Sequence, residues 1–158
     1  MNAGRILATM ALLGAASVAQ AQTSNQNVTF QVNAVNQIAV AGSPSLTVNT
    51  ATAGSAPTAA TASATWAVTT NQSNAKITAS LDSDMPSGLT LSVDMGAPTG
   101  ASSAGATALS SASVDLVTGI TKLAQGALSI GYSLSATTAA GVVSSTSRTV
   151  TYTITGGV

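Results

Sequence analysis

Residues 128–136 read LSIGYSLSA, and this stretch decides the fold class of the chain. Apolar side chains stand at every second position, with serine or glycine between most of them. Because successive side chains of a β-strand point to opposite faces, the alternation predicts a strand with an apolar inner face and a hydroxyl-bearing outer face.

The same alternation recurs along most of the chain beyond its first 21 residues. It covers residues 28–34 with an extension to 38 and 40, and residues 66–68, 77–81, 89–95 and 150–154. Residues 71–74 (NQSN) separate two such runs and predict a hairpin turn. We therefore predict an all-β protein, an antiparallel immunoglobulin-like β-sandwich of about 7–9 strands. A closed barrel is the alternative architecture.

Residues 1–21 have the features of a secretory signal peptide. One cation, Arg5, precedes an apolar run over residues 6–18, and the small-residue pattern AQA ends at Ala21. The run is shorter than the roughly 20 residues that cross a bilayer. We predict cleavage after Ala21 and a mature chain, residues 22–158, that forms a single β-sandwich domain without a membrane span. The expected destination is the cell surface or the medium, with the periplasm as the alternative.

The charge composition excludes several classes of function. The 158 residues include 4 Lys and Arg, 4 Asp and Glu, no His and no Cys, so 5% are charged, where about 25% is usual. Four cations cannot form a nucleic-acid-binding stripe. Without imidazole or thiolate, zinc sites, haem ligation and catalytic triads lack their usual groups. We predict no nucleic-acid partner, no cofactor and no enzymatic activity, and an exported domain without disulfides.

Asp82 and Asp84 are the only candidates for metal ligands that the sequence singles out. They lie two positions apart in DSDMPSG (residues 82–88), and calcium binds carboxylate and carbonyl oxygens. Such an ion takes several oxygen ligands, and the chain offers only Asp94 and Asp115 as further carboxylates. The favoured interpretation is a turn in which each Asp accepts hydrogen bonds from backbone N–H groups. The predicted set of metal and catalytic residues is therefore empty.

The four aromatic side chains of the mature chain are Phe30, Trp66, Tyr132 and Tyr152. Each occupies an apolar position of its predicted strand, so we expect all four to pack in the core. Sugar-binding modules instead display aromatic platforms on a surface.

The two ends of the mature chain carry the functional hypothesis. Residues 22–40 and 150–154 form alternating terminal segments, and an extended segment can add to the edge of a neighbour's sheet. Edges without charges invite such pairing. We predict an exported structural or surface protein, a fimbria-like fibre subunit that assembles with itself by β-strand addition. Whether residues 22–40 pair within or between chains stays open. The alternative is an extracellular ligand-binding or adhesive module, for polysaccharide or calcium, that uses residues 82–88.

Several stretches also carry a resemblance. They are KITASLD (76–82), Pro86, Gly88, LTLSV (89–93), LVTGI (116–120), LSIGYSLSA (128–136) and RTVTYTI (148–154). Together they resemble a family of small exported bacterial immunoglobulin-like β-sandwich proteins. More loosely, the order of signal peptide, Thr/Ala-rich strands and final alternating strand is similar to fimbrial and spore-coat-type subunits. Such subunits often carry a cysteine pair, which this chain lacks. The resemblance implies a fold and a surface role, and no functional residue.

Overall fold

A computed structural model describes residues 20–157 of the chain. Residues 33–157 belong to one compact unit and residues 20–32 to another. The predicted signal peptide, residues 1–21, lies almost wholly outside the described residues. Within the described part of the chain, no helix has the length and apolar character needed to cross a membrane.

The larger unit is built from β-strands, which confirms the predicted all-β class. Its only helical element within residues 33–157 is a short 3₁₀ turn, Thr138–Ala140. The strands in chain order are β1 (Asn36–Ala41), β2 (Ala60–Thr70), β3 (Ala75–Leu81), β4 (Leu89–Met95), β5 (Ser102–Ser103), β6 (Thr107–Ala108), β7 (Val114–Ile120), β8 (Leu123–Ala136) and β9 (Val150–Thr155).

The strands form two antiparallel sheets, which fits a β-sandwich. One sheet has the order β1-β2-β8-β4-β6 and the other the order β5-β7-β3-β9. The long strand β8 holds the first sheet together, because β2 pairs along one of its edges and β4 along the other. Tyr132 of β8 therefore lies between Ala62 and Val93.

The core lies between the two sheets and follows the period-two pattern. Trp66, Val93 and Ile130 of the first sheet are at most 2% exposed, as are Ile77 and Leu116 of the second. Burying one such side chain stabilises the fold by roughly 1.5–3 kcal/mol. The alternation of the sequence thus places the apolar residues of both sheets in one cluster.

The predicted hairpin at residues 71–74 is wrong. This turn connects β2 of one sheet to β3 of the other, and the two strands do not pair. Residues 82–88 likewise carry the chain from β3 back to β4 across the two sheets. Period-two spacing shows which face of a strand is buried, but it contains no information about the hydrogen-bonding partner of the strand.

The predicted strand over residues 28–34 is also absent. Residues 20–35 contain no strand, and β1 begins only at Asn36. The alternation there expresses a preference for extended structure, whereas a stable strand needs a neighbour that accepts and donates its backbone hydrogen bonds.

Candidate functional site

In residues 82–88, which we call the acidic turn, the two carboxylates accept hydrogen bonds from different backbone N–H groups. Asp82 Oδ1 accepts a hydrogen bond from the N–H of Ser83 at 2.9 Å, and Asp84 Oδ1 accepts one from the N–H of Ser111 at 2.6 Å. The bond from Ser111 favours the charged form and lowers the pKa of Asp84 below its ordinary value. The Arg148 guanidinium donates to the carbonyl oxygen of Asp84 at 3.2 Å. Both carboxylates therefore stabilise the turn.

No group of three or more metal-ligating side chains occurs among residues 20–157.

Three of the four aromatic residues pack as predicted, and the fourth does not. Trp66 is 2% and Tyr132 5% exposed, and the half-buried Tyr152 packs against the same core. The hydroxyls of Tyr132 and Tyr152 lie 2.7 Å apart and share a hydrogen bond between the sheets. Phe30, in contrast, is 89% exposed, so its predicted place in the core is wrong. It lies in the segment that forms no strand, which leaves it without a sheet face to pack on.

The first and last strands of the chain, β1 and β9, each form the edge of one sheet. These two edges lie on the same side of the sandwich. β1 pairs with β2 along one edge, and β9 pairs with β3 along one edge. No strand in the described part of the chain pairs with the opposite edges of β1 and β9, which we call the open edges. The two strands lie beside each other, with the Asn36 side chain against the backbone of Gly156.

The inward side chains at the open edges are incompletely covered. Val150, Tyr152 and Ile154 of β9 alternate with exposed threonines and remain only half-buried, as does Ile38 of β1. Their neighbours on β3 are almost completely buried, Ile77 being 0% exposed. The apolar layer between the sheets is therefore left partly open along this side.

Neither open edge carries a charge. The sequences of β1 (NQIAVA) and β9 (VTYTIT) contain only apolar and neutral polar residues. The ion pair between Lys76 and Asp115, 2.9 Å long, lies on β3 and β7 and on neither edge strand. Charged side chains are one of the common means by which proteins block edge pairing. These edges lack that protection.

Residues 20–32, which we call the N-terminal arm, are exposed throughout. Val28, Phe30 and Val32 are 75%, 89% and 82% exposed, and they alternate with Thr29 and Gln31. A soluble protein gains free energy by removing three such side chains from water. The arm therefore has the composition and alternation of a strand, although none of its residues lies in one.

A separate cleft of about 690 Å³ lies where β8 ends and β4 begins. Its apolar lining includes Leu46, Val48, Met85, Leu89 and Leu134, and all of its lining residues are uncharged. Met85 belongs to the acidic turn, so this cleft is the feature that the ligand-binding alternative would use.

The chain matches no protein-family model, and neither a curated protein nor a solved structure is significantly similar to it.

The sequence indicated both terminal segments but not their relation to the sheets. The open edges become visible only when the strand order is known, because local alternation does not distinguish an edge strand from a central one. The hydrogen bonds of the Asn71 side chain to Asn33 and Val35 could not be predicted either, because the sequence shows only a turn-forming residue at this position.

Proposed function

We propose that this protein is an exported structural subunit that joins further copies of itself by β-strand addition. The alternating part of the N-terminal arm, residues 28–32, is the donor, and the open edge of β9 in another copy is the acceptor. One observation carries the proposal: an exposed, alternating apolar segment occurs in the same chain as an uncharged edge whose inward side chains are half-covered.

The donor and the acceptor have matching periods. Val28, Phe30 and Val32 stand at every second position, as do Val150, Tyr152 and Ile154 on β9. A paired donor strand would turn its three apolar side chains toward the open apolar layer and expose Thr29 and Gln31. In this mode of recognition main-chain hydrogen bonds supply affinity and the alternate side chains set the register.

The strand order supports an immunoglobulin-like sandwich that lacks one strand. A constant-type immunoglobulin domain has strands A-B-E-D in one sheet and C-F-G in the other. The order β1-β2-β8-β4 corresponds to A-B-E-D, and the adjacent pair β3-β9 corresponds to C-F, whereas β5, β6 and β7, inserted between β4 and β8, have no counterpart in that order. On this correspondence the place of strand G lies beside β9, and no strand in the described residues occupies it. A donated arm would fill that place.

The placement outside the cell is part of the proposal. It is supported by the apolar run of the first 21 residues and by the resemblance to exported bacterial β-sandwich proteins and, more loosely, to fimbrial and spore-coat-type subunits. Mass spectrometry of the exported protein tests this part, because cleavage after Ala21 gives a chain that begins at Gln22. A protein recovered with residues 1–21 attached would contradict it.

Assembly is tested on purified residues 22–158 by size-exclusion chromatography with light scattering and by negative-stain microscopy. We expect a concentration-dependent series of oligomers or filaments. Phe30→Asp places a charge on the apolar face of the donor and should abolish them. Thr29→Asp adds the same charge on the outward face and should preserve them. A wild-type chain that is monomeric at every concentration, or equal effects of the two substitutions, would refute strand donation.

A second candidate function rests on the apolar cleft near Met85. Its volume lies in the range of small-molecule sites, roughly 300–1,000 Å³, and its uncharged lining favours a neutral ligand over an ion. Under this alternative the chain is a monomer whose melting temperature rises on binding. Leu89→Arg would remove that rise, and assembly would play no part.

A further inference from the structure

We infer that Asn71 is a positioning residue that fixes the chain immediately ahead of β1 and so determines where the donated arm begins. Its side-chain Nδ2 donates to the carbonyl oxygen of Asn33 at 2.8 Å, and its Oδ1 accepts from the N–H of Val35 at 2.8 Å. The backbone N–H of Asn71 also donates to the carbonyl oxygen of Val35 at 3.2 Å. Three hydrogen bonds therefore connect one residue to two of the last three residues before β1, Asn33 and Val35.

The side chain of Asn71 takes the place of a partner strand. An amide group offers one acceptor and two donors, which matches the carbonyl and N–H of a peptide unit. The ladder between β1 and β2 ends with the pair Asn36 and Thr70, and beyond that pair the backbone turns toward β3. The backbone N–H of Asn71 extends this bonding to Val35, and its side chain extends it to Asn33 and to the N–H of Val35.

A second, buried contact holds the start of β1 independently. The Thr70 hydroxyl, 3% exposed, donates to Asn36 Oδ1 at 2.7 Å and accepts from the N–H of Gln72 at 3.1 Å. Asn71 itself is exposed. Its side chain can therefore be removed without opening the core, while the Thr70 contact keeps β1 in place.

This role rests on the proposed strand donation. The arm ends at residue 32, and Asn33 to Val35 are the residues that Asn71 holds. Losing these bonds would hold the segment between the donor and β1 less firmly. A less firmly held donor loses more conformational entropy on pairing and samples more registers on the acceptor edge. Assembly should weaken although the donor and the acceptor themselves are unchanged.

The test compares Asn71→Ala with Ser73→Ala, a neighbouring control, in purified residues 22–158. Hydrogen exchange of the Val35 amide, measured under dilute conditions, should accelerate about tenfold in Asn71→Ala, as expected for losing about one hydrogen bond. Amides in the middle of β2 should be unchanged. The concentration at which oligomers form should rise about tenfold, and the melting temperature should stay within about 3 °C. Ser73→Ala should resemble the wild type in all four measurements.

The outcomes separate this inference from the proposal on which it rests. Unchanged exchange at Val35 in Asn71→Ala overturns the anchor itself. Faster exchange with unchanged assembly overturns the positioning role and leaves Asn71 as a structural contact. A wild-type chain that stays monomeric overturns both strand donation and the positioning role, and the exchange data then show whether the anchor was nevertheless present.

Discussion

The hydrogen bond between Tyr132 and Tyr152 yields the sharpest prediction about the sandwich itself. Tyr152→Phe removes one of the two hydroxyls, which lie 2.7 Å apart, and leaves that of Tyr132 (5% exposed) in the core without this partner. An unsatisfied buried hydroxyl costs about 1–2 kcal/mol, which corresponds to a loss of roughly 4–8 °C in Tm for a domain of this size. The fluorescence of Trp66, the single tryptophan, reports unfolding in urea.

The double variant Tyr132→Phe/Tyr152→Phe is the matched control. It removes both hydroxyls, so neither is left without its partner. We expect its loss of unfolding free energy to be about 1 kcal/mol smaller than the sum of the losses in the two single variants. Additive effects, or a Tyr152→Phe variant as stable as the wild type, would show that this hydrogen bond does not link the sheets in solution.

The same residue predicts the response to alkaline pH. Burial, reinforced by the hydrogen bond with Tyr132, raises the pKa of Tyr152 far above its ordinary value of 10. The folded state therefore keeps the proton when the unfolded chain has lost it. The stabilisation is fully present below pH 10 and is lost progressively as the pH rises above it. Tyr152→Phe should show a shallower decline of unfolding free energy above pH 10, and an identical decline would contradict this assignment.

Three further predictions concern other parts of the molecule. Gly100→Ala should lower the free energy of unfolding by about 1 kcal/mol, because its φ of +81° disfavours a side chain. Gly88→Ala should cost at least twice as much in urea denaturation, because Gly88 has a similar φ and its added Cβ would lie 2.7 Å from the backbone of Ala140. Equal costs would refute this steric contact. Lys76→Ala should change the unfolding free energy by less than about 0.5 kcal/mol, because its ion pair is half-exposed; a loss above about 1 kcal/mol would contradict this. Because the pKa of Asp84 is lowered, its contribution is lost as the pH falls through the folded-state pKa; Asp84→Asn should therefore flatten the acid-side decline in Tm, and an unchanged decline would contradict the Ser111 contact.

Period-two alternation predicted the individual strands well where one face of the strand packs in the core and the other lies on the outside of the sheet. In β8, Leu128, Ile130 and Tyr132 are buried as the pattern required, and β3 follows the same rule. Burial and alternation express the same geometry, because a strand between two neighbours must place every second side chain in the core. The all-β class and the apolar core could therefore be predicted from the sequence.

Partnership between strands could not be predicted in the same way. Residues 71–74 look like a hairpin turn, yet they change sheets, and residues 28–32 look like a strand, yet they belong to neither sheet. Pairing depends on the strand order of the whole domain, which local spacing does not encode. The candidate site lies where this information is missing, since an open edge and an exposed arm outside both sheets are properties of topology.

Directed disulfide formation between two different variants tests strand donation most directly, since the natural chain contains no cysteine. One preparation carries Thr29→Cys in the arm, and a second carries Thr151→Cys, Thr153→Cys or Thr155→Cys on the outward face of β9. Opposed residues of antiparallel strands have Cα atoms about 4.5–5.5 Å apart, which lies within the range that a disulfide spans. We expect a mixed disulfide with at least one β9 variant and none with Thr65→Cys on the central strand β2. Equal cross-linking at Thr65 and β9, or cross-linking only when both cysteines are in the same monomer, would contradict assembly by donation of the arm.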